Sequence, residues 1–435
     1  MALSARWVSM AGPSIPGFAT LRPLGRWTTS IPARIGSSEA LKLSVVYALD
    51  ACAAHFGSTD IDASAMLFSG PKAAQALRLA WATADPMKED DIVNLILAVQ
   101  LNFSAEIFRR LEAGVYFLHI KALSTLFKLC TPSLFQTELV QSLFSATVYE
   151  EVTYCYFARV DSTFDDPSFL QSFQAGLMPW KSPLAKATAF VIGHLVQLPR
   201  ALRLVRSLCQ FHDPTGYLEA ITLIGNLYHG ASDGFMRQII ENICTVVPTR
   251  HPKIATLVPQ SYHFESTYAY KLLIRYYTFQ FLLYGLMEEM NRVYPLDIDM
   301  AIMRHQDVHA AHSFAMCMDH AFNMYPSMGL LTVRLIVPTQ FSYYTWYRLE
   351  TRSIPTAHAS SDYQRARAMK SLLVDLENSI APAWGGSQFS FETLDATKEA
   401  LFGGAMTKRM ERLTDPASII SSAEDSAYIQ DLEKG

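Results

Sequence analysis

The chain has 435 residues, of which 50% are hydrophobic and 17% charged, whereas soluble domains average about 25% charged residues. This length is enough to bury a sizeable core in one large domain or two ordinary ones. The low charge indicates extensive internal surface, or a large surface that a partner covers. The net charge of −4 at pH 7 excludes a generic binder of polyanions such as nucleic acids.

Residues 1–36 are predicted to form a disordered leader rich in proline, glycine and arginine. Arginines without acidic residues before Glu39 are also typical of a mitochondrial presequence. A presequence needs an amphipathic helix, however, and the prolines here interrupt one. The residues concerned are Arg6, Arg22, Arg26 and Arg34, with Pro13, Pro16, Pro23 and Pro32. We therefore favour the disordered leader over a targeting signal.

A helical hydrophobic pattern begins after residue 37. Apolar residues recur at steps of three and four from Leu41 to Phe56, after a pair of serines that is a typical helix start. A second helix follows Pro71, a good first-turn residue. A third begins at Asp90, because an acidic residue favours the positive end of the helix dipole. Residues 92–103 are apolar on nearly every side, which predicts a central, buried helix.

The segments after residue 110 continue this pattern. Helices are predicted at residues 111–129, 139–159, 183–198, 217–246 and 266–293, and a loop at 248–259. Residues 363–380 form a further amphipathic helix, with Met369, Leu372, Leu376 and Ile380 on one face. Alternation of apolar and polar residues, the signature of strands, is scarce. The sequence therefore predicts an all-α fold.

The predicted domain organisation has one large body. A multi-helix domain is expected at residues 37–360, and helices at residues 361–412 are expected to pack on it. Residues 413–435 are polar and mildly acidic, which predicts a flexible tail.

The cysteines do not form a recognisable motif. They are Cys52, Cys130, Cys155, Cys209, Cys244 and Cys317, and no two lie closer than 25 residues. This spacing excludes CxxC pairs and zinc knuckles. Most lie in apolar helical patterns, where cysteine behaves as a small buried hydrophobe, so we expect free thiols in a reducing compartment. Uncharged runs of about a dozen residues are too short to span a bilayer, and no membrane contact is expected.

The best candidate for a metal site is the row His305, His309 and His312, with Asp307 nearby. The spacing places the three imidazoles on one helical face, and two histidines one turn apart can chelate zinc. The glutamate of an HExxH motif is missing, because Gln306 follows the first histidine. The alternative is a helix whose polar histidines line a groove or the surface. We favour that alternative.

The segment that follows also contains several residues of the types that act in catalysis or metal binding. Cys317, Asp319 and His320 lie within a few positions of one another, but in apolar company at helical spacing. This favours a buried helix over a catalytic cluster. Asp165-Asp166 lacks the second acid of a DDxxD magnesium motif, because Phe169 occupies its place. We therefore assign no catalytic, cofactor-binding or metal-binding residue, expect no cofactor, and predict that the protein is not an enzyme.

Taken together, the helical segments resemble a known family. Residues 40–56 are similar to the opening helix of the regulatory, or middle homology, region of fungal binuclear zinc-cluster transcription factors. Residues 73–81 resemble the helix that follows, and residues 90–103 resemble a helix with an acidic start. Residues 116–123 are similar to the family's aromatic-x-x-His-x-x-small pattern, carried by Tyr116, His119 and Ala122. The family usually has glycine where this chain has Ala122.

The resemblance extends through roughly residues 38–360. Further positions that match the pattern are Trp180, Leu195, Leu198, Pro199, Cys317, His320, Gly329 and Trp346. One departure is large: the family's DNA reader needs six closely spaced cysteines and a basic linker, and this chain has neither. The chain is therefore expected to contact DNA only indirectly or weakly.

The resemblance implies a transcriptional regulator or co-regulator in the nucleus that acts through protein contacts. It would control a metabolic, for example secondary-metabolite, gene cluster as a homodimer or as a heterodimer with a DNA-binding regulator. Alternatively, DNA contact would come from a DNA-binding segment that is encoded by an upstream exon and is missing from the chain. Seventeen methionines give adaptable surface for partners or a small hydrophobic effector. Two alternatives stay open: an all-α enzyme with a site near His305, His309, His312 and Asp319, and a helical scaffold protein.

Overall fold

The computed structural model describes residues 2–11, 24–56, 63–86, 88–109, 113–174, 182–211, 214–231, 234–324, 330–353, 361–384 and 388–402. Almost all of the regular structure in these residues is helical, and the prediction of an all-α fold is confirmed. They form two compact units, one ending at Tyr154 and the other beginning at Cys155. The division falls inside the predicted 37–360 domain, whose own boundaries stay predictions. Gly329, Trp180 and the predicted tail at 413–435 lie outside the described residues.

The first unit is built from helices that follow one another along the chain. They are α1 Ala2–Ala11, α2 Ile31–Arg34, α3 Glu39–His55, α4 Ala63–Thr83, α5 Glu89–Phe108, α6 Ala113–Lys128, α7 Pro132–Phe135 and the first part of α8 Glu138–Ala158. A 3₁₀ turn, Arg26–Ser30, precedes α2. Ser38 begins α3, where its hydroxyl oxygen accepts the backbone N–H of Leu41 at 3.1 Å, as the serine pair predicts.

α5 is the central helix of this unit. Three acidic residues occupy its first turn, and nearly every side chain from Ile92 to Ala105 is buried, as its all-round apolar pattern predicts. It packs against α3, α4 and α6. Within the described residues α5 is also the one helix long and apolar enough to cross a bilayer, but 83% of its most apolar stretch is buried inside the protein. The helix is therefore part of the core of the first unit.

The start of α4 differs from the prediction. α4 begins at Ala63, so Pro71 lies inside the helix and not in its first turn. Proline removes one backbone N–H from the helix, and packing against α3 and α5 offsets this loss. The neighbouring Gly70 allows the close approach, because a Cβ there would lie 3.0 Å from the ring of Tyr47 on α3.

The predicted disordered leader is wrong for the residues described within it. Trp7 on α1 is fully buried, and its indole N–H donates to the carbonyl oxygen of Thr28 at 2.9 Å. Trp27 is 1% exposed, and its backbone N–H donates to the hydroxyl of Ser142 at 3.0 Å. Burial of two indoles outweighs the local effect of the prolines. Pro32 lies in the first turn of α2, where a missing N–H costs nothing.

The second unit contains the remaining helices and one hairpin. Its elements are α9 Pro167–Gln174, α10 Pro183–Leu195, α11 Leu198–Phe211, α12 Tyr217–Ala231, α13 Gly234–Ile243, β1 Cys244–Pro248, α14 Pro252–Ala255, β2 Gln260–Phe264, α15 Thr267–Val293, α16 Met300–Met324, α17 Leu330–Val333, α18 Ile336–Ser353, α19 Ser361–Ile380 and α20 Phe391–Leu401. α15 is buried over most of its length and packs against α10, α11, α12, α16 and α18. The predicted apolar face of α19 is confirmed, since all four of its predicted residues are buried.

The hairpin corrects the prediction that residues 217–246 are helical. The helix α13 ends at Ile243, and β1 pairs antiparallel with β2, with Cys244 opposite Phe264 and Val246 opposite Tyr262. The β-branched run at residues 245–247 favours an extended backbone. β2 packs on α16, so the hairpin covers the helix that carries most of the candidate site residues.

Candidate functional site

The histidine row lies on the outer side of α16. His305 and His309 are exposed, and His312 is half-buried. Partial burial and neighbouring positive groups lower the pKa of His309 and of His312, so both imidazoles are uncharged at neutral pH. Across the described part of the chain, no three His, Cys, Asp or Glu side chains lie close enough together to hold a metal ion.

Asp307 faces the opposite way, into the second unit. It is 1% exposed, and both of its oxygens accept hydrogen bonds from the guanidinium of Arg348 on α18, at 2.8 and 3.0 Å from Nη2. The hydroxyl of Thr345 donates to the same carboxylate at 2.7 Å. The carboxylate therefore joins α16 to α18 and is not part of the histidine row.

Cys317 and His320 occupy the buried face of α16, as the apolar company predicts. Cys317 is fully buried, and burial raises the pKa of its thiol well above the usual range. His320 is 5% exposed, with its ring 5.0 Å from that of Phe264 and 5.3 Å from that of Tyr270. Burial, with a smaller contribution from the neighbouring His263, lowers the pKa of His320 to about 4. A neutral imidazole packed between aromatic rings is a core residue.

Asp319 holds the loop that leads into α14. Its carboxylate accepts the backbone N–H of His251 at 2.7 Å and that of Arg250 at 3.2 Å. Asp319 is 4% exposed. Two charge-assisted hydrogen bonds from the loop backbone account for an acid at this position.

Replacing Asp319 with alanine is expected to lower the free energy of unfolding by about 1.5–3 kcal/mol, because two backbone N–H groups lose a charged acceptor. The asparagine variant keeps an acceptor oxygen and is expected to lose less. Urea denaturation followed by circular dichroism measures both. Equal losses for the two variants would show that the carboxylate does not act as the acceptor described here.

The acidic pair at 165–166 also has structural partners. Arg200 on α11 donates to Asp165, with Nε 2.7 Å from Oδ2. Asp166 precedes α9 and accepts the backbone N–H of Ser168 at 2.8 Å. Each of the two carboxylates therefore has its own hydrogen-bond partner within the second unit.

All six cysteines are free thiols, as expected from their spacing. Burial raises the pKa of Cys130 to about 12 and that of Cys209 and Cys244 to about 11. Thiols with such values are protonated at neutral pH and are poor nucleophiles.

A cleft of about 630 Å³ lies in the second unit, lined by residues of α11, α15, α16 and α18 and by Phe402, which directly follows α20. Its charged groups come mainly from Glu288, Glu289 and Arg292 on α15 and from Arg304 on α16. Arg304 makes two hydrogen bonds to Glu288, at 3.0 and 2.9 Å. The pKa of Glu288 is lowered. Partial burial raises this pKa, but the hydrogen bonds from Arg304 and the charge of Arg352 lower it by more.

Arg348 contributes an incompletely satisfied guanidinium to this cleft. Nε and Nη2 donate to Asp307, whereas the buried Nη1 has no hydrogen-bond partner. The guanidinium carbon lies 5.1 Å from the centre of the Phe402 ring. That ring rests on Gly285, where a Cβ would lie 2.2 Å from it. Glycine at 285 is thus required for the phenyl ring to form one wall of the cleft.

The sequence did not point to this cleft. Its residues come from helices far apart along the chain, and arginines on helices are usually solvated surface residues. The one local signal is the spacing of Arg348 and Arg352, which are one turn apart on α18.

Comparison with protein-family models, with curated proteins and with solved structures finds no match to this chain.

Proposed function

We propose that the protein is a non-catalytic transcriptional regulator of the nucleus, which acts through protein partners on a metabolic gene cluster. The observation that carries this proposal is the packing of α3, α4, α5 and α6. The first four segments that resemble the fungal regulatory region lie on these four consecutive helices, and α5 packs against each of the other three. The residues that carry this part of the resemblance therefore lie on helices that pack together, and not on scattered surface segments.

Individual positions of the pattern support the proposal. His119 on α6 is 3% exposed, with its ring 6.4 Å from that of Phe103 on α5. Ala122, at the small-residue position, is also buried. A small side chain at a buried position of a helix suits close packing of its neighbours.

The partners of the candidate catalytic residues favour a regulatory over a catalytic role. Asp307 holds α18, Asp319 holds the loop before α14, and His320 lies in an aromatic core. An active site needs such groups to face a substrate. In this proposal DNA contact comes through a zinc-cluster partner.

A tethering experiment tests the proposal. The full chain is fused to an unrelated DNA-binding domain and brought to a reporter gene, and output is compared with that of the DNA-binding domain alone. We expect a severalfold change in transcription. His309→Ala, which alters the exposed histidine row, is expected to leave that change intact.

Two results would contradict the proposal. One is unchanged reporter output from a fusion that is expressed and reaches the nucleus. The other is a purified chain with substrate turnover that His309→Ala abolishes, which would favour the enzyme alternative.

A further inference from the structure

The cleft of the second unit has the dimensions of a small-molecule site. A volume of about 630 Å³ lies within the range of about 300–1,000 Å³ that ligand pockets occupy. Aromatic walls are present as well, from Tyr344, Tyr347 and Phe402. Aromatic rings provide a large rigid contact area for an apolar or aromatic ligand body.

The charges around the cleft do not balance. Arg292 pairs with Glu289, and Glu288 is shared by Arg304 and Arg352. Four guanidinium groups, those of Arg292, Arg304, Arg348 and Arg352, face three carboxylates, those of Glu288, Glu289 and Asp307. One positive charge is therefore in excess within this group of residues.

Among the described residues that line the cleft, Arg348 carries a buried donor without a hydrogen-bond partner. Its side chain is 13% exposed, and Nη1 is buried without an acceptor. An unmade hydrogen bond on a buried charged group is unfavourable, and the oxygen of an anion is its strongest acceptor. The neighbouring Phe402 ring lies against the same guanidinium, so an anion bound at Arg348 has an aromatic surface beside it.

We propose that this cleft binds a small organic monoanion, a carboxylate or sulfonate attached to an aromatic or apolar body. The single excess charge favours a monoanion, and the aromatic walls favour an apolar body. This inference stands on the cleft alone and does not depend on the proposed function. A small hydrophobic effector is expected from the sequence, and this proposal specifies that the effector is a hydrophobic acid.

Competition with a fluorescent probe tests the proposal. Anilinonaphthalene sulfonate, an aromatic monoanion, is titrated into the full chain and then displaced by phenylbutanoate or by the neutral phenylbutanol. We expect saturable binding and displacement by phenylbutanoate at a concentration at least about tenfold lower than by phenylbutanol, which is the scale of one charge-assisted hydrogen bond. Equal competition by the acid and the alcohol would overturn the proposal.

Two variants locate the site. Asp307→Asn/Arg348→Gln removes the cationic donor and keeps a neutral amide pair, and Thr351→Trp narrows the cleft at an exposed position on its wall. Both are expected to weaken probe binding at least about tenfold. The control Arg203→Gln removes an arginine of the same unit that pairs with Asp161 at the surface, and is expected to bind as the unaltered chain does.

Circular dichroism melting establishes that each variant is folded. If the double variant does not fold, the Thr351→Trp variant alone tests the location of the site. This substitution changes no charge and therefore leaves the buried ion pair intact. Probe affinity equal to that of the unaltered chain in folded Thr351→Trp would overturn the assignment of the ligand to this cleft.

Discussion

Replacing Asp307 with alanine is expected to lower the free energy of unfolding by about 3–5 kcal/mol. Its carboxylate is 1% exposed and is the acceptor for two nitrogens of Arg348 and for the hydroxyl of Thr345. Removal leaves a largely buried guanidinium without its counter-charge, which is among the most destabilising single changes in a protein core. Urea denaturation of the full chain, followed by circular dichroism, measures the loss in the transition of the second unit.

The exposed pair between Arg203 and Asp161 is a matched control. Its side chains are 47% and 42% exposed, so Asp161→Ala is expected to change the free energy of unfolding by no more than about 1 kcal/mol. The double variant Asp307→Asn/Arg348→Gln is expected to regain more than half of the loss, because no buried charge is left unpaired. A loss below about 1 kcal/mol for Asp307→Ala would contradict the structural role assigned to this carboxylate.

Replacing Glu377 with glutamine is expected to stabilise the protein by about 3 kcal/mol at pH 7. Glu377 on α19 is 1% exposed, and burial raises its pKa to about 8, against the partial compensation of a hydrogen bond from Gln340. In the unfolded chain the carboxyl ionises near pH 4.5. The folded state therefore holds a proton that the unfolded state releases, and stability falls as the pH rises from about 4.5 to 8. Glutamine removes this dependence.

The difference between Glu377→Gln and the unaltered chain is consequently expected to vanish near pH 4 and to be largest above pH 8. Urea denaturation at several pH values measures it. Glu392→Gln removes an exposed carboxylate of the same unit and is expected to follow the unaltered chain at every pH. A constant difference across the pH range for Glu377→Gln would show that Glu377 is ionised in the folded protein.

The helical architecture was predictable because it follows from local patterns. The all-round apolar sequence of α5 and the apolar face of α19 each specify burial without knowledge of their neighbours. The hairpin was missed because residues 244–248 continue an apolar pattern, and their partner strand lies beyond a loop that contains α14. The ordered helices of the leader depend on burial of Trp7 and Trp27, which no local signal in a proline-rich segment reveals.

The candidate site was predictable only in part. Helical spacing correctly placed Cys317 and His320 on a buried face. It also explains why Asp307 does not join His305 and His309, since residues two positions apart point to different sides of a helix. Sequence position could not reveal that Asp307 pairs with Arg348 or that Phe402 rests on Gly285, because those contacts join helices remote along the chain.

The central claim is that this protein acts at promoters through partners. Chromatin immunoprecipitation of the tagged full chain from cells that express it, followed by sequencing, tests that claim most directly. We expect enrichment at a limited set of promoters, and loss of this enrichment when the zinc-cluster partner recovered with the chain is deleted. A genome-wide profile no different from that of an untagged control, with the protein present in the nucleus, would contradict it.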